Sequence, residues 1–311
     1  MKITIVGVGK VGSAIAFAVI HRGLAEELVL LDRSPEKVRG DALDLLHASA
    51  FVKPCNVVAG DAAAAAGSDI VIYTASASAD SAGADRLIHA EANGRLLGKL
   101  LPPLAANCPE AIFLIVSNPV DVLTYLAQAH CNLPAGRVLG TGTLLDTGRF
   151  RALLSKLSGI HSHDIRAYIL GEHGESQFPA ISVATTGGMR FEREDQSVYD
   201  LAGQAKRGGH DVLAAKGYTN YAIAMATLMI VEAIAGNANS VMPVSTRIDG
   251  LYGISDVCLS MPCVIGRGGV VKVLPIWLDE EEQQRLQHSA GVVRRVIDQL
   301  GTGSGKPGGG A

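Results

Sequence analysis

The 311-residue sequence is short of charged and aromatic side chains. Charged residues make up 18% and aromatic residues 5%, whereas hydrophobic residues make up 48%. Such a chain can bury a large core, which argues against a disordered protein. Charge of one sign is not in excess either, because the net charge at pH 7 is −3. We therefore expect neither nucleic acid nor an anionic membrane surface as a partner.

Cysteine is also scarce, and the sequence has neither a C-x-x-C pair nor a cysteine and histidine pairing at zinc spacing. The five cysteines are scattered at positions 55, 108, 131, 258 and 263. An odd set without pairs is typical of reduced thiols in a protein core, so we expect a cytoplasmic protein. No metal site is predicted, and the segment His161–Asp164 is interpreted as a solvated loop.

No hydrophobic run is long enough to span a bilayer. The longest, Tyr221–Val231, ends at Glu232 and predicts a buried helix. The chain starts directly on an apolar strand, Lys2–Val6, so no signal peptide is predicted. Residues 301–311 are rich in glycine and predict a flexible tail.

What the sequence does contain is a glycine turn between a strand and a helix. The motif G-V-G-K-V-G occupies residues 7–12 and opens a helix over residues 13–19. In this context Gly7 permits the tight turn, Gly9 lets the backbone approach a pyrophosphate, and Gly12 lets the helix pack on the sheet. Free N–H groups at the helix N-terminus then favour phosphate, so the motif predicts a dinucleotide site.

An acidic residue follows the second strand. Residues 28–31 form this strand, and Asp32 follows it directly. A carboxylate there accepts hydrogen bonds from the adenosine ribose and repels a 2′-phosphate, which favours NAD over NADP. We also assign Val11 and Thr74 to the cofactor site.

Apolar strands alternate with helical segments further along the chain. Strands predicted over 69–74 and 111–116 indicate an α/β fold with a doubly wound parallel sheet of Rossmann type. An α+β substrate domain is expected to follow this sheet. We expect an NAD-binding domain over 1–141 and a catalytic domain over 142–300. A helix near 219–235 is expected to pack back on the first domain.

Asn118 stands just after the strand over residues 111–116, where ligands bind in such sheets. Its amide is predicted to face the nicotinamide end of the cofactor and the substrate oxygen. The alternative is an asparagine that caps the turn before Pro119.

Two short segments, Leu145–Phe150 and Gly171–Glu175, supply the groups for acid/base chemistry. His173 can give or take a proton near neutral pH. A buried Asp146 beside it would fix its tautomer and favour the charged imidazolium. Arg149 can hold a planar carboxylate with two parallel hydrogen bonds. These groups suit a reaction that moves a proton onto a carbonyl oxygen while a neighbouring carboxylate of the same molecule is held in place.

Together these motifs resemble the lactate/malate dehydrogenase superfamily over residues 1 to about 300. The lactate branch fits better than the malate branch at Thr219, a predicted substrate-site residue, and over residues 250–263. The segments that carry the resemblance are Gly7–Gly12, Asp32, Gly40–His47, Ser117–Asp121, Leu145–Phe150, Gly171–Gly174, Lys216–Thr219 and Pro243–Thr246.

The resemblance implies a role for each matching residue. His173 would be the acid/base with Asp146 as its partner, and Arg149 would bind the substrate carboxylate. Asn118 would help to hold the carbonyl, while Arg86, on a mobile loop, would polarise it; Arg86 is otherwise an exposed arginine at a helix start. The implied partners are a small 2-oxo or L-2-hydroxy acid and further copies of the chain in a homodimer or homotetramer.

The loop over residues 74–86 departs from the family pattern. It carries one extra residue and no arginine for a second substrate carboxylate, so malate is disfavoured. Either Asp80 stands at the specificity position and favours a basic substrate, or Ala79 does and the pocket is larger and apolar. A third alternative is that the loop has drifted and Asp80 faces solvent. Gly208-Gly209, where relatives carry alanines, also suggests a substrate bulkier than pyruvate.

Other readings of the sequence remain open. One is a malate dehydrogenase-like enzyme, and another is a non-catalytic dinucleotide-binding protein on the same fold. The resemblance also suggests the hypothesis that a sugar bisphosphate activates the protein. Arg151 matches one position of the family's sugar-bisphosphate site, and Arg166 replaces a histidine at the other.

Overall fold

The computed structural model describes residues 1–77, 86–192 and 195–301, and the first half of the chain forms a parallel sheet in it. The described strands of this sheet are β1 (Lys2–Val6), β2 (Glu27–Leu31), β3 (Asn56–Ala59), β4 (Ile70–Tyr73), β5 (Ile112–Ile115) and β6 (Val138–Gly140). The four strands predicted here from the sequence are confirmed, with each end within one residue of its expected position.

The strand order creates a crevice beside β1 and β4. Across the sheet the order is β3-β2-β1-β4-β5-β6, and all these strands run parallel. The helices that connect them are α1 (Lys10–His21), α2 (Pro35–Ala48), α3 (Arg86–Asn107) and α4 (Val120–Cys131). The chain starts in the middle, builds one edge and returns to build the other. Ligands bind such sheets where the order reverses, outside the carboxyl ends of the strands.

The second half of the chain adds antiparallel strands to the same sheet. β12 pairs with β6, and β13 and β14 follow outward, which gives nine strands among the described residues. The helices and strands of the second half of the chain are α5 (Leu144–Ser158), β7 (Ile165–Arg166), β8 (Ile169–Leu170), β9 (Phe178–Pro179), β10 (Thr185–Thr186), β11 (Met189–Arg190), α6 (Gln196–Lys216), α7 (Tyr221–Ala235), β12 (Ser240–Asp249), β13 (Ser255–Gly266), β14 (Gly269–Val273) and α8 (Glu280–Gln299). The predicted doubly wound α/β fold is confirmed.

Two glycines allow the second half to approach β6 closely. A Cβ on Gly140 would lie 2.4 Å from Oγ1 of Thr124, and a Cβ on Gly142 would lie 2.4 Å from Oγ of Ser260. Gly142 also has a φ of +52°, which favours glycine. The chain can therefore turn from β6 into α5 while β12 and β13 pass directly beside it.

The long apolar run near residue 221 forms α7, which packs on α1. Its other side is exposed, because Tyr221, Met225 and Met229 remain 69%, 51% and 43% accessible. A spacing of four residues places these side chains in one stripe along the helix. The prediction of a helix is confirmed, but the prediction that it is buried is wrong for this stripe.

All five cysteines are buried and form no disulfide. Within the described ranges, no helix is long and apolar enough to cross a membrane. The predicted flexible tail lies almost wholly outside these ranges, since the description ends at Gly301.

Candidate active site

A cleft of about 780 Å³ opens between the two halves of the chain. It lies beside the carboxyl ends of β4 and β5, where the sheet order predicts a ligand. The predicted site residues that line it are Val11, Thr74, Asn118, Asp146, Arg149, His173 and Thr219. Folding thus brings both halves of the predicted site to one cavity.

The glycine turn leaves space where a pyrophosphate would lie. A Cβ on Gly7, whose φ is +94°, would be 2.6 Å from Cα of Ala75, and one on Gly12 would be 2.0 Å from the carbonyl oxygen of Gly7. These two glycines are needed for packing. At Gly9, by contrast, an added Cβ would meet no heavy atom of the described residues within 4 Å. Gly9 precedes α1, so this open space faces free backbone N–H groups at a helix N-terminus.

Asp32 and Thr74 hold the turn from its two sides. Asp32 follows β2 and accepts hydrogen bonds from the backbone N–H of Val8 (2.7 Å) and of Ser34 (3.1 Å). Thr74 follows β4 and donates its hydroxyl to the carbonyl of Gly7. The Asp32 carboxylate is thereby fixed beside the turn, as a ribose-binding residue requires.

His173 and Arg149 meet at the carboxylate of Asp146. Nδ1 of His173 lies 2.6 Å from Oδ2 of Asp146, and Nη1 of Arg149 donates to Oδ1 at 3.1 Å. Asp146 and Arg149 are three residues apart in the first turns of α5, so their side chains share one face of the helix. Asp146 is 2% exposed, whereas His173 is 27% exposed. Because His173 is bound to Asp146 through Nδ1, its Nε2 is left for proton transfer in the cleft.

The surroundings of His173 raise its pKa above the ordinary value. Burial alone would lower this pKa, but the hydrogen bond that His173 donates to Asp146, the charge of Asp146 and the charge of Asp121 together outweigh burial and the repulsion by Arg149. The imidazolium is therefore favoured. That is the form which can donate a proton to a carbonyl oxygen.

The loop that carries His173 is fastened to three elements. Gly171 exchanges backbone hydrogen bonds of 3.1 and 2.9 Å with Ser260 of β13. The next backbone N–H donates to Oγ of Ser289 in α8 at 2.7 Å. The backbone N–H of His173 itself donates to Oδ2 of Asp121 in α4 at 2.7 Å. The imidazole thus projects from a fixed backbone.

Asn93 also supports the site, which was not predicted. It is 3% exposed in α3; its amide nitrogen donates to the backbone carbonyl of Asn118 at 2.9 Å, and its Oδ1 accepts from the N–H of Ala77 at 2.7 Å. It ties the start of the loop after β4 to the end of β5. In one sequence this asparagine looks like any other polar helix residue, because its partners are distant along the chain.

Three predicted residues have no described side chain. Arg86 begins α3, but nothing is described beyond its backbone, and Ala79 and Asp80 lie outside the described residues. Their assigned roles stay predictions.

The glycine pair of α6 lies against Arg149. A Cβ on Gly208 would be 3.3 Å from Cδ of Arg149, and one on Gly209 would be 3.5 Å from Nη1. Elsewhere on α5, Nε of Arg151 donates to the carbonyl of Ala167 at 2.8 Å. One donor of the arginine matched to a sugar-bisphosphate site is therefore used inside the protein.

Fold and site together define a class of enzyme. A dinucleotide bound on the glycine turn would lie beside the cleft, where His173 can transfer a proton and Arg149 can hold a carboxylate. This combination is that of a nicotinamide-dependent dehydrogenase that acts on small acids.

Comparison with known proteins identifies the family. Residues 1–140 match the model of the lactate/malate dehydrogenase NAD-binding domain, and residues 143–302 match that of the lactate/malate dehydrogenase alpha/beta C-terminal domain. The chain belongs to the lactate/malate dehydrogenase family. It is an NAD-dependent oxidoreductase, as the resemblance implied.

Relatives agree over nearly the whole chain. The L-lactate dehydrogenase of a Synechococcus species is 41% identical over 305 residues, covering 96% of this chain and 99% of the relative. That of Moorella thermoacetica is 40% identical over 309 residues, covering 96% and 97%. Among solved structures, a lactate dehydrogenase from a deep-sea metagenome library has a TM-score of 0.92 at 33% identity, covering 96% and 98%. The minor L-lactate dehydrogenase of Enterococcus mundtii has a TM-score of 0.91 at 35% identity, with the same coverage.

Replacing Gly9 by alanine is expected to weaken NADH binding about 10-fold or more while the protein keeps its melting temperature. The methyl group meets no described protein atom but fills the space for the pyrophosphate. Fluorescence titration with NADH and thermal denaturation measure the two effects. Gly40→Ala, where an added Cβ also meets no described neighbour, is the matched control and should bind NADH normally. Unchanged NADH affinity in Gly9→Ala would contradict the assignment.

Proposed function

We propose that the protein is an L-2-hydroxy acid dehydrogenase of the lactate type, which interconverts a 2-oxo acid and an L-2-hydroxy acid with NADH and NAD. The observation that carries the proposal is the 2.6 Å contact between His173 and Asp146 beside Arg149, in the cleft next to the glycine turn. Its direct test is NADH oxidation in the presence of a mixed set of 2-oxo acids. No turnover with any acid would favour a non-catalytic dinucleotide-binding protein.

In the proposed mechanism the glycine turn and Asp32 would hold NADH, which when bound would supply the hydride for the carbonyl carbon. Protonated His173 donates the proton on Nε2 to the carbonyl oxygen, which becomes the hydroxyl of the product. Asp146 keeps Nδ1 protonated and stabilises the imidazolium before the transfer. In the reverse direction, neutral His173 accepts the proton from the hydroxyl.

Arg149 is the proposed anchor for the substrate carboxylate. A guanidinium has five N–H donors, and within residues 1–77, 86–192 and 195–301 one of those of Arg149 is used, towards Asp146. The others remain for two parallel bonds to a carboxylate. Thr219 lines the same cleft and completes the proposed substrate site.

Asn118 and Arg86 are proposed to stabilise the negative charge that develops on the carbonyl oxygen. Asn118 lines the cleft directly after β5, and Asn93 holds its backbone carbonyl. Arg86 begins α3 at the end of the unusual loop. Closure of the loop over the substrate would exclude water and strengthen these interactions.

We also propose a substrate bulkier than pyruvate. Support comes from Gly208 and Gly209, which place no side chain over the guanidinium that would hold the substrate. The sequence 74–86 has no second arginine for oxaloacetate, which favours lactate-type over malate-type chemistry. Whether Ala79 or Asp80 contacts the substrate decides between an apolar and a basic side chain.

A panel of 2-oxo acids tests this specificity. We expect a higher kcat/KM for branched, aromatic or basic acids than for pyruvate. Gly209→Ala should lower kcat/KM for the bulky acids several-fold more than for pyruvate, because its methyl group enters the space beside Arg149. Gly40→Ala is again the control. An outright preference of the wild type for pyruvate would overturn the proposal.

A homodimer or homotetramer is the proposed assembly, with a second copy of this chain over the exposed stripe of α7. Other apolar side chains are exposed on the neighbouring helices, which favours a continuous contact surface. They are Phe17 of α1 (56% exposed) and Leu43 and Leu46 of α2 (54% and 42%). We propose a cytoplasmic location because five buried, unpaired thiols are typical of a reducing compartment.

A further inference from the structure

Asp121 is a buried carboxylate that contacts the backbone of the catalytic loop, Gly171–Glu175, which carries His173. It lies in the first turn of α4, three residues after Asn118, and is 2% exposed. Its Oδ2 accepts the backbone N–H of His173 at 2.7 Å, and its Oδ1 accepts the hydroxyl of Ser245 at 2.6 Å. Ser245 is fully buried on β12. One carboxylate thus joins elements from both halves of the chain.

A buried carboxylate is costly unless hydrogen bonds and local dipoles stabilise its charge. Two donors approach Asp121 closely, and its place in the first turn of α4 lets the helix dipole favour the anion. If only the fold of the loop mattered, a neutral acceptor would hold the N–H of His173 as well. A charged group at this point also acts through space on the imidazole.

We propose that Asp121, oriented by Ser245, is a positioning residue for His173: it fixes the backbone of the proton donor and adds a second negative charge behind that of Asp146. The inference rests on the proposed function, in which His173 transfers the proton. Asp121 is buried and is not among the described residues that line the cleft, so we expect it to act through the histidine.

Charged and titratable groups reach His173 from several elements. Asp146 and Asp121 raise its pKa, and Arg149 lowers it. His89 of α3, Glu175 of the catalytic loop, and Lys206 and His210 of α6 line the same cleft, and Glu172 precedes His173 in the chain. Among these groups Asp121 is a carboxylate bound to the backbone of His173 itself.

The sign of the expected pH effect follows from this arrangement. Reduction of a 2-oxo acid needs protonated His173, so kcat/KM is high below its pKa and falls as pH rises through it. Removing the charge of Asp121 lowers that pKa. The fall in activity then begins at a lower pH.

Asp121→Asn tests the charge, because its amide oxygen can still accept the N–H of His173. We expect the high-pH limb of kcat/KM for 2-oxo acid reduction to move down by ~0.5 pH unit or more. NADH affinity and melting temperature report whether the variant is folded. Asp249→Asn, an exposed carboxylate at the end of β12, is the matched control and should leave the limb in place. An unmoved limb in a folded Asp121→Asn protein would overturn the electrostatic part of the proposal.

Ser245→Ala tests the positioning separately. It keeps the charge of Asp121 but removes its orienting donor, so we expect kcat to fall several-fold with the pH limb unmoved. A wild-type kcat in Ser245→Ala would overturn the positioning part, whether or not Asp121→Asn folds. Failure of the proposed function is distinguishable, because the wild-type protein would then oxidise NADH with none of the 2-oxo acids.

Discussion

His173→Ala is expected to lower kcat by about 10³-fold while NADH still binds with wild-type affinity. The imidazole is the group in the described cleft that combines a raised pKa, a buried carboxylate partner and partial exposure to the cavity. Without it, the carbonyl oxygen must take its proton from water. The NADH site on the glycine turn is untouched, since the contacts of Gly7 and Asp32 do not involve this loop.

Stopped-flow or steady-state oxidation of NADH with the best acid of the panel measures this loss, and fluorescence titration measures NADH affinity. His288→Ala, an exposed histidine of α8, is the matched control and should keep full activity. A His173→Ala enzyme that loses less than about 100-fold in kcat, the lower end of the loss expected for an acid/base group, would remove His173 from the mechanism.

Arg149→Lys is expected to lower kcat/KM by about 100-fold, with most of the effect in KM. Lysine keeps the positive charge but cannot form two parallel bonds to a carboxylate. The substitution also removes the hydrogen bond that Nη1 of Arg149 donates to Asp146. One oxygen of this buried carboxylate then loses a hydrogen-bond donor.

Because the charge is preserved, this variant isolates geometry from electrostatics. Steady-state kinetics over a wide range of acid concentration separates KM from kcat. Arg95→Lys, in an exposed ion pair with Glu91 on α3, is the matched control. Equal kcat/KM in Arg149→Lys and wild type would mean that another group holds the substrate carboxylate.

The parallel half of the sheet could be predicted from the sequence because its signals are local. A glycine turn lies between an apolar strand and a helix, and Asp32 follows the next strand, so each inference needed only a short window of residues. Gly7 and Gly12 prove to be needed for packing, and Gly9 proves to face open space, as the motif predicts. The fold class, the family and the cofactor are confirmed.

Contacts between distant residues could not be predicted in this way. Asn93 and Asp121 support the site through partners from 16 to 124 positions away, so their neighbours in the sequence do not show what they bind. Similarly, the glycine pair of α6 suggested a wider pocket, but the sequence did not show that it lies against Arg149. The exposed stripe of α7 went unpredicted because apolar composition alone does not distinguish a helix that is buried on all sides from one with an exposed apolar face.

The glycines beside β6 have a consequence for any attempt to exchange parts between members of this family. The two family domains meet at residues 140–143, which suggests a convenient crossover point for hybrid enzymes. At that point, however, Ser245 is paired with Gly140, and the backbone at Gly142 has no room for a side chain. In a hybrid the junction between the two parental sequences would therefore lie inside a β-sheet and not in a linker. Its two parents would have to agree on the residues that face each other there, Gly140 and Gly142 on one side and Ser245 and Ser260 on the other.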